Sequence, residues 1–297
     1  MTSLRQELHR ARQGGVHGFM PQEMLSFALP ARRTKAPVWD RTNGDYRFTV
    51  VAGSVTDPYG QRLTELPSGK YARAAMLYLC TQAKLTGERQ IELASGYRDF
   101  MKSLGVNWSG ADRGKEALRQ LMLVSSATFT ISRQTVDEEG ELHYQDTRST
   151  FSEEMSLWSD RDRSELSSQK PSTVTLSPVF MDMLDRAVPI SLRSWRWLLS
   201  NSRSPMSLDV YVWMCSRLPR CERATRVTWS QLYEQFGCTA PMKRFKQLFR
   251  DALETALLVY PEAQITESTG ANRTSGFKGY VLRSSPDPRD SKIPAEV

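Results

Sequence analysis

The amino-acid sequence predicts an α+β protein, mainly helical, in which one series of helices and strands occurs twice. Each half of the chain contains a long helix, a short strand, a short helix and a second long helix, in that order. Each series then continues into alternating polar and apolar residues, which is typical of a β-hairpin. A glycine follows the short helix in both halves, Gly105 in the first and Gly237 in the second, as expected for a left-handed residue that ends a helix.

The elements of the first unit follow from the spacing of its apolar residues. Alternation predicts strands, and a repeat every three to four residues predicts helices. On this basis we expect a strand over 45–55, a helix over 69–86, a strand over 90–93, a short helix over 96–104, a helix over 115–126 and a hairpin over 127–151. The sequence Asp-Glu-Glu-Gly at 137–140 marks the turn of that hairpin. The charged, serine-rich stretch 159–171 marks a linker or a long surface loop.

The second unit repeats this order. We expect a strand over 174–176, helices over 180–186 and 207–218, a strand at 226–227, a short helix over 228–236, a helix over 241–258 and two strands within 264–284. Thr228 and Gln231 have the spacing of a capping box at the start of the short helix. Pro241 occupies the first position of the last helix, where proline is favoured.

Three helices closed by a β-hairpin are the pattern of a winged helix–turn–helix. In that fold the short second helix packs across the third, which enters the major groove of DNA, while the hairpin lies on the flanking backbone. The sequence therefore predicts two tandem winged helix–turn–helix domains with β-hairpin wings. We divide the chain into a flexible basic arm (1–45), a first winged-helix domain (46–170), a second one (171–288) and a flexible tail (289–297).

Composition excludes several classes of protein. The 297 residues carry 40 Lys and Arg against 33 Asp and Glu, a formal charge of +7, and 39% are hydrophobic. No apolar run approaches the roughly 18 residues that span a bilayer, and the first 14 residues lack the apolar segment of a secretory signal. Four scattered cysteines fit a reducing cytoplasm. The positive charge favours a polyanionic partner.

The residues that carry out most site chemistry are too few and too far apart. The closest cysteines, Cys215 and Cys221, do not have the spacing of a zinc site, and the three histidines lie away from cysteines and carboxylate clusters. Gly69 and Lys70 resemble the end of a P-loop, but Thr64 stands where that motif requires glycine. We therefore expect a binding protein, without metal or cofactor, rather than an enzyme.

The most informative segment is the last long helix. Its apolar residues form one helical stripe, consisting of Phe245, Leu248, Phe249, Ala252, Leu253 and Ala256. The other surface carries Lys243, Arg244, Lys246, Gln247 and Arg250. Four cations and no acid lie between residues 239 and 250, and Arg, Lys and Gln suit the edges of guanine and adenine. We interpret this surface as the DNA-reading face; the alternative is an ordinary solvated basic face.

Further cations surround this helix in the predicted fold. The last hairpin carries cations suited to phosphate contacts, namely Arg273, Lys278 and Arg283. The third helix of the first unit carries Arg113, Lys115 and Arg119, interspersed with Asp112 and Glu116. The first unit should therefore bind DNA more weakly or through the backbone. Trp195 and Trp197 could stack on bases, but we favour a core position at the domain junction.

The first unit also resembles a known family. A turn at 67–69 (Pro-Ser-Gly) precedes a helix rich in alanine and leucine at 70–79, a strand at 91–93 (Ile-Glu-Leu), the segment 100–105 (Phe-Met-Lys-Ser-Leu-Gly), a glycine-containing loop at 110–114 and the segment 118–121 (Leu-Arg-Gln-Leu). This order resembles plasmid-encoded RepA-type replication initiators. The resemblance is best over 57–126 and extends more weakly to residue 280.

The resemblance implies a function in the bacterial cytoplasm. Such initiators bind repeated sites (iterons) in the double-stranded DNA of a plasmid origin, mainly through the third helix of the second domain, here 241–252. They help to open an adjacent AT-rich segment, recruit the host replicative helicase or its loader, and take part in plasmid copy control. They exchange between monomers and dimers, and the first domain forms the dimer.

Two alternatives stay open from the sequence. The first is a winged-helix transcriptional repressor without an initiator role. The second is a nuclease or relaxase, which the missing histidine and carboxylate cluster disfavours.

Overall fold

Helices and strands both contribute substantially to the structure, which is a computed structural model. It describes residues 17–93, 101–102, 104–106, 111–157, 159–160, 165–166, 171–237, 239–270 and 276–288. The strands are β1 (His17–Pro21), β2 (Val38–Asn43), β3 (Tyr46–Val51), β4 (Val55–Thr56), β5 (Arg62–Leu63), β6 (Gln90–Glu92), β7 (Thr128–Val136), β8 (Leu142–Thr150), β9 (Ser152–Ser156), β10 (Ser159–Asp160), β11 (Glu165–Leu166), β12 (Thr173–Leu176), β13 (Ala187–Ser191), β14 (Thr225–Thr228), β15 (Ile265–Thr269) and β16 (Lys278–Leu282). The α-helices are α1 (Gly69–Thr86), α2 (Ala111–Ser126), α3 (Pro178–Met183), α4 (Leu192–Asn201), α5 (Met206–Arg217), α6 (Trp229–Phe236) and α7 (Met242–Leu257). Within the described residues the fold is therefore mixed α/β with several small sheets, rather than mainly helical.

Residues 17–43 belong to the folded structure, which corrects the prediction of a flexible arm over 1–45. β1 pairs antiparallel with β13, and β2 pairs antiparallel with β3. In the segment between β1 and β2, Leu25 and Phe27 are buried. The Phe27 ring stacks on the ring of Phe48 in β3, at a centroid distance of 5.1 Å. The sequence did not reveal this because the partner of β1 is remote along the chain. Residues 1–16 lie outside the described part.

The first unit contains a helical pair and a three-stranded sheet. α1 and α2 pack together, and the sheet has the strand order β6-β12-β9. The short helix predicted over 96–104 falls mostly outside the described residues. Its end is described: Met101 is fully buried, and Gly105 takes a φ of +76°, as predicted for the residue that ends a helix.

The hairpin predicted over 127–151 forms, and it extends a sheet that the sequence did not predict. β7 and β8 pair along their whole length around the predicted turn. They continue the sheet of the N-terminal strands, in the order β2-β3-β7-β8. The next strand, β9, pairs with β12, which lies beyond the domain boundary that we placed after residue 170. The sheet of the first unit therefore crosses that boundary, and the boundary requires correction.

From α5 onward the second unit follows the predicted order, whereas the strand predicted over 174–176 is β12 in the sheet of the first unit. Its elements are α5, β14, α6, α7, β15 and β16, and its sheet has the strand order β14-β16-β15. Both hydrogen bonds of the capping box between Thr228 and Gln231 are present, and Gly237 takes a φ of +57°. Pro241 is the N-cap residue of α7 rather than its first helical residue.

Buried contacts join the two units. Trp195 on α4 is 4% exposed, in agreement with a core position, and Trp197 is partly buried. Arg73 on α1 forms a buried ion pair with Asp209 on α5. One continuous cluster of buried apolar side chains includes residues from β1, α1, α5, α7 and β16. The packing therefore ties the N-terminal strands, the first unit and the second unit together.

The part of the chain that the structure describes lacks both a membrane-spanning helix and a cluster of metal-binding side chains. No helix there is both long enough and apolar enough to cross a membrane. No group of three or more His, Cys, Asp or Glu side chains there could hold a metal ion.

Candidate nucleic-acid interface

The buried face of α7 fixes the orientation of its other surface. Phe245 and Phe249 are fully buried, and Ala252, Leu253 and Ala256 lie behind them. The Phe249 ring contacts a set of aromatic side chains at centroid distances of 5.2–6.2 Å, formed by Trp213, Trp229, Phe236, Phe245 and Tyr280. Because these rings hold one side of the helix, the polar side of α7 is turned outward.

The outward side of α7 carries the predicted basic residues. Lys243, Arg244, Gln247 and Arg250 are exposed, and Lys246 is half-buried. Asp251 is the first acid on the helix. Within the described residues, neither Lys243 nor Arg244 forms a side-chain hydrogen bond or ion pair. The structure therefore brings the five predicted residues onto one surface and leaves the first two available to an anion.

Two of these side chains are held by neighbours in the second unit. The Lys246 ammonium lies 5.4 Å from the centre of the Trp229 ring, within the range of a cation–π contact. Gln247 Nε2 donates a hydrogen bond to Asp251 Oδ1 at 2.7 Å. Both contacts orient the side chains along the exposed surface of α7.

Arg250 has a partner that the sequence did not reveal. Its Nε and one terminal nitrogen donate to the two carboxylate oxygens of Glu267 on β15, at 2.9 and 2.7 Å. The guanidinium lies 5.2 Å from the centre of the Trp229 ring, and Tyr280 Oη donates to Glu267 at 3.4 Å. The hydrogen bond to Arg250 lowers the pKa of Glu267 below its ordinary value, and the same bond raises the pKa of Arg250. Arg250 thus joins α7 to the hairpin.

The cations of the hairpin β15–β16 lie at opposite ends. Lys278 is exposed at the start of β16, beside the turn. Arg283 is exposed just beyond the other end, and its backbone N–H donates to Gln264. Arg283 follows Lys278 by five positions, which corresponds to about 16 Å along an extended strand. Arg273 lies outside the described residues. Of the described pair, only Lys278 is close to the turn that a wing would present to DNA.

The predicted residues of the first unit are not equivalent. Arg113 and Lys115 are exposed on α2. The Arg119 side chain is only 19% exposed and forms ion pairs with Glu65 and Glu116. The sequence grouped Arg119 with Arg113 and Lys115 as a candidate DNA contact, but its burial and its two acidic partners place it in the internal structure of the first unit. The exposed basic surface of α2 is therefore smaller than that of α7.

Two further cations lie near the second unit's short helix and sheet. Arg41, from the N-terminal strand β2, donates to the carbonyl of Gly237 at 2.8 Å, at the turn between α6 and α7. Arg226 on β14 lies 5.5 Å from the centre of the Phe277 ring. Pattern analysis could not identify Arg41, because its position depends on the pairing of strands far from α6 in sequence.

Comparisons with known proteins agree with this architecture. Crystal structures of domains 2 and 3 of RctB are similar to this chain at 12% sequence identity, with a TM-score of 0.54, covering 89% of this chain and 97% of the other. A second structure, residues 155–483 of RctB, gives 11% identity and a TM-score of 0.51, covering 90% and 98%. At such low identity, the likeness concerns the fold alone. No curated protein matches the sequence.

The family match concerns the sequence itself. Residues 66–232 match the family described as plasmid encoded RepA protein. This match begins at the turn before α1 and ends within α6, so it includes the segments that carried the resemblance. Since it spans more than half of the 297 residues, the chain belongs to the family of plasmid-encoded RepA replication initiators.

Proposed function

We propose that the protein initiates plasmid replication by sequence-specific binding to repeated sites in the double-stranded DNA of its origin. Family membership supports the link to plasmid replication. The observation that carries the binding proposal is α7, whose aromatic face is buried while Lys243, Arg244, Lys246 and Gln247 share its outward surface.

We further propose that both units are winged helix–turn–helix domains. In each unit the three strands of the sheet are arranged in the same way: the first strand in sequence lies beside the third, and the third lies beside the second. The order is β6-β12-β9 in the first unit and β14-β16-β15 in the second. In the second unit α7 directly precedes β15, and in the first unit the β7–β8 hairpin lies between α2 and β9. This agreement supports a duplicated fold, with the β7–β8 hairpin inserted in the first copy.

In this proposal α7 enters the major groove and the hairpin β15–β16 lies on the flanking backbone. A bidentate contact to a base edge provides about 1–3 kcal/mol of discrimination. Contacts to phosphate release counterions, so the logarithm of the affinity falls with the logarithm of the salt concentration by about 0.9 for each neutralised phosphate. Lys278 and Arg273 are the hairpin residues proposed for phosphate. Arg113 and Lys115 would give the first unit a weaker, backbone-directed contact.

The protein would act by binding rather than by bond chemistry. Origin opening would draw on DNA bending or on several protomers bound side by side, since deformation of DNA can be driven by the contacts that it permits. On the basis of membership in the RepA family, we also propose that the protein exchanges between monomer and dimer. We propose in addition that it contacts the host replicative helicase or its loader.

Footprinting on the DNA that adjoins the protein's own gene tests this function. Protection of direct repeats is the expected result, and a mini-plasmid that carries those repeats should then depend on the protein for maintenance. Protection of inverted half-sites without support of the mini-plasmid would favour the repressor. Magnesium-dependent nicking of origin DNA by the purified protein would favour the nuclease or relaxase.

A further inference from the structure

Glu267 is an acid placed within a cationic surface. Its carboxylate faces Arg250 and Lys246 of α7 and the hydroxyl of Tyr280. Both carboxylate oxygens are engaged by the Arg250 guanidinium, a geometry that is stronger and more directional than a single hydrogen bond. The side chains of Arg250 and Glu267 are 43% and 25% exposed, so the pair lies at the surface where α7 meets the hairpin.

This geometry has two consequences for Arg250. The guanidinium is held between the Trp229 ring and the carboxylate, and so it cannot turn toward a base edge without leaving both. Its charge is also cancelled locally, so it adds little to a phosphate-binding surface. Lys243 and Arg244, one to two turns earlier on α7, have no such acid beside them among the described residues.

We propose that Glu267 is a positioning and specificity-determining residue for DNA binding. It converts Arg250 from a DNA contact into a bridge that fixes the hairpin against α7, and it prevents this arginine from binding phosphates without regard to sequence. This proposal rests on the proposed function. It also changes the role of Arg250, which the sequence placed on the DNA-reading face.

Three full-length variants test the proposal: Glu267→Gln, Arg250→Gln and the double variant. Affinities for a protected origin repeat and for a random duplex of equal length are measured across a range of salt concentrations. In Glu267→Gln the released arginine should contact a phosphate, so the salt slope steepens by about 0.9 and random duplex binds about eightfold more tightly at 0.1 M salt. The ratio of specific to random affinity should fall.

The other variants separate this role from a direct contact. Arg250→Gln should leave the salt slope unchanged, because the arginine was already neutralised. It should weaken binding to both duplexes, because the carboxylate of Glu267 then loses its arginine partner and repels phosphate. The double variant should bind both more tightly than Arg250→Gln does, with the wild-type slope. Thermal unfolding measures whether each variant is folded. If Glu267→Gln does not fold, the salt slope of Arg250→Gln still tests the proposal.

Two results would overturn the proposal. One is a Glu267→Gln protein with the wild-type slope and discrimination. The other is an Arg250→Gln protein whose slope falls by about 0.9, as a direct phosphate contact requires. Failure of the proposed function gives a different result, because the wild-type protein itself would then bind origin repeat and random duplex equally.

Discussion

Gly237, at the turn between α6 and α7, combines a left-handed backbone with a close neighbour. Its φ is +57°, and a β-carbon there would overlap the Arg41 guanidinium. Gly44, in the turn between β2 and β3, has nearly the same φ, +59°, with no atom near the position of a β-carbon. Alanine substitutions at the two positions therefore distinguish the free-energy cost of the left-handed backbone from the cost of displacing Arg41.

We predict that Gly44→Ala lowers the free energy of unfolding by about 1–2 kcal/mol, the cost of a left-handed alanine. Gly237→Ala should lose more, because Arg41 must also leave its hydrogen bond to the Gly237 carbonyl. Urea unfolding of both variants measures the difference. Equal losses would mean that the Arg41 contact contributes nothing to stability.

The cysteines differ in their access to solvent. Burial raises the pKa of the Cys80 thiol to about 12 and also raises the pKa of Cys215. Cys221 is half-buried. A higher pKa means a smaller fraction of the reactive thiolate at a given pH.

Iodoacetamide at pH 8 should therefore label Cys221 in the native protein while Cys80 and Cys215 stay unmodified. Mass spectrometry of the peptides that contain Cys80, Cys215 and Cys221 measures the labelling, and the urea-unfolded protein provides the control in which each of these cysteines reacts. Modification of Cys80 at the same rate as Cys221 would contradict the burial of α1.

Single elements were predictable to different degrees. The helical repeat of α7 and the capping box of α6 are local signals, and both led to helices close to those predicted. The β7–β8 hairpin was predicted with its turn, but its sheet was not, because strand pairing with β3 depends on contacts remote in sequence. The same holds for the candidate site. The basic face of α7 could be predicted from the spacing of its residues, whereas the pairing of Arg250 with Glu267 could not, because it depends on the packing of the hairpin against α7.

The aromatic side of α7 provides a prediction at this scale. Phe249→Ala removes a fully buried ring and should lower the free energy of unfolding by about 3–5 kcal/mol. Leu258, just after the helix, is 48% exposed, and Leu258→Ala should cost far less. Thermal or urea unfolding compares the two. A small effect of Phe249→Ala would contradict the packing that orients the basic face.

The whole molecule is joined by a buried ion pair as well as by apolar contacts. Arg73 on α1 pairs with Asp209 on α5 and also donates to the carbonyls of Leu29 and Gly69, at 2.7 and 2.8 Å. It therefore connects the N-terminal segment, the first unit and the second unit. Burial raises the pKa of Asp209, and Arg73 opposes that effect.

Arg73→Met should destabilise the protein by about 3–5 kcal/mol at neutral pH, because it leaves a buried carboxylate without its partner. Without Arg73, nothing at this ion pair opposes the effect of burial, so the pKa of Asp209 rises further above its ordinary value. A carboxyl group whose folded pKa is raised favours the folded state at low pH, and this advantage is lost as the pH rises through the folded pKa. The destabilisation should therefore be smallest near pH 4 and largest near pH 7 to 8 in urea unfolding. Arg73→Met/Asp209→Asn should lack this pH dependence. A pH-independent loss in the single variant would contradict the account.

The most direct test of the DNA-reading surface compares Gln247→Ala on α7 with Arg283→Ala at the far end of the hairpin. Affinities are measured for a protected origin repeat and for a random duplex at fixed salt. Gln247→Ala should reduce discrimination between them by about 1–3 kcal/mol, the value of one lost bidentate base contact, while Arg283→Ala should leave the ratio unchanged. Equal losses on both duplexes for both variants would contradict the assignment of α7 as the element that reads DNA sequence.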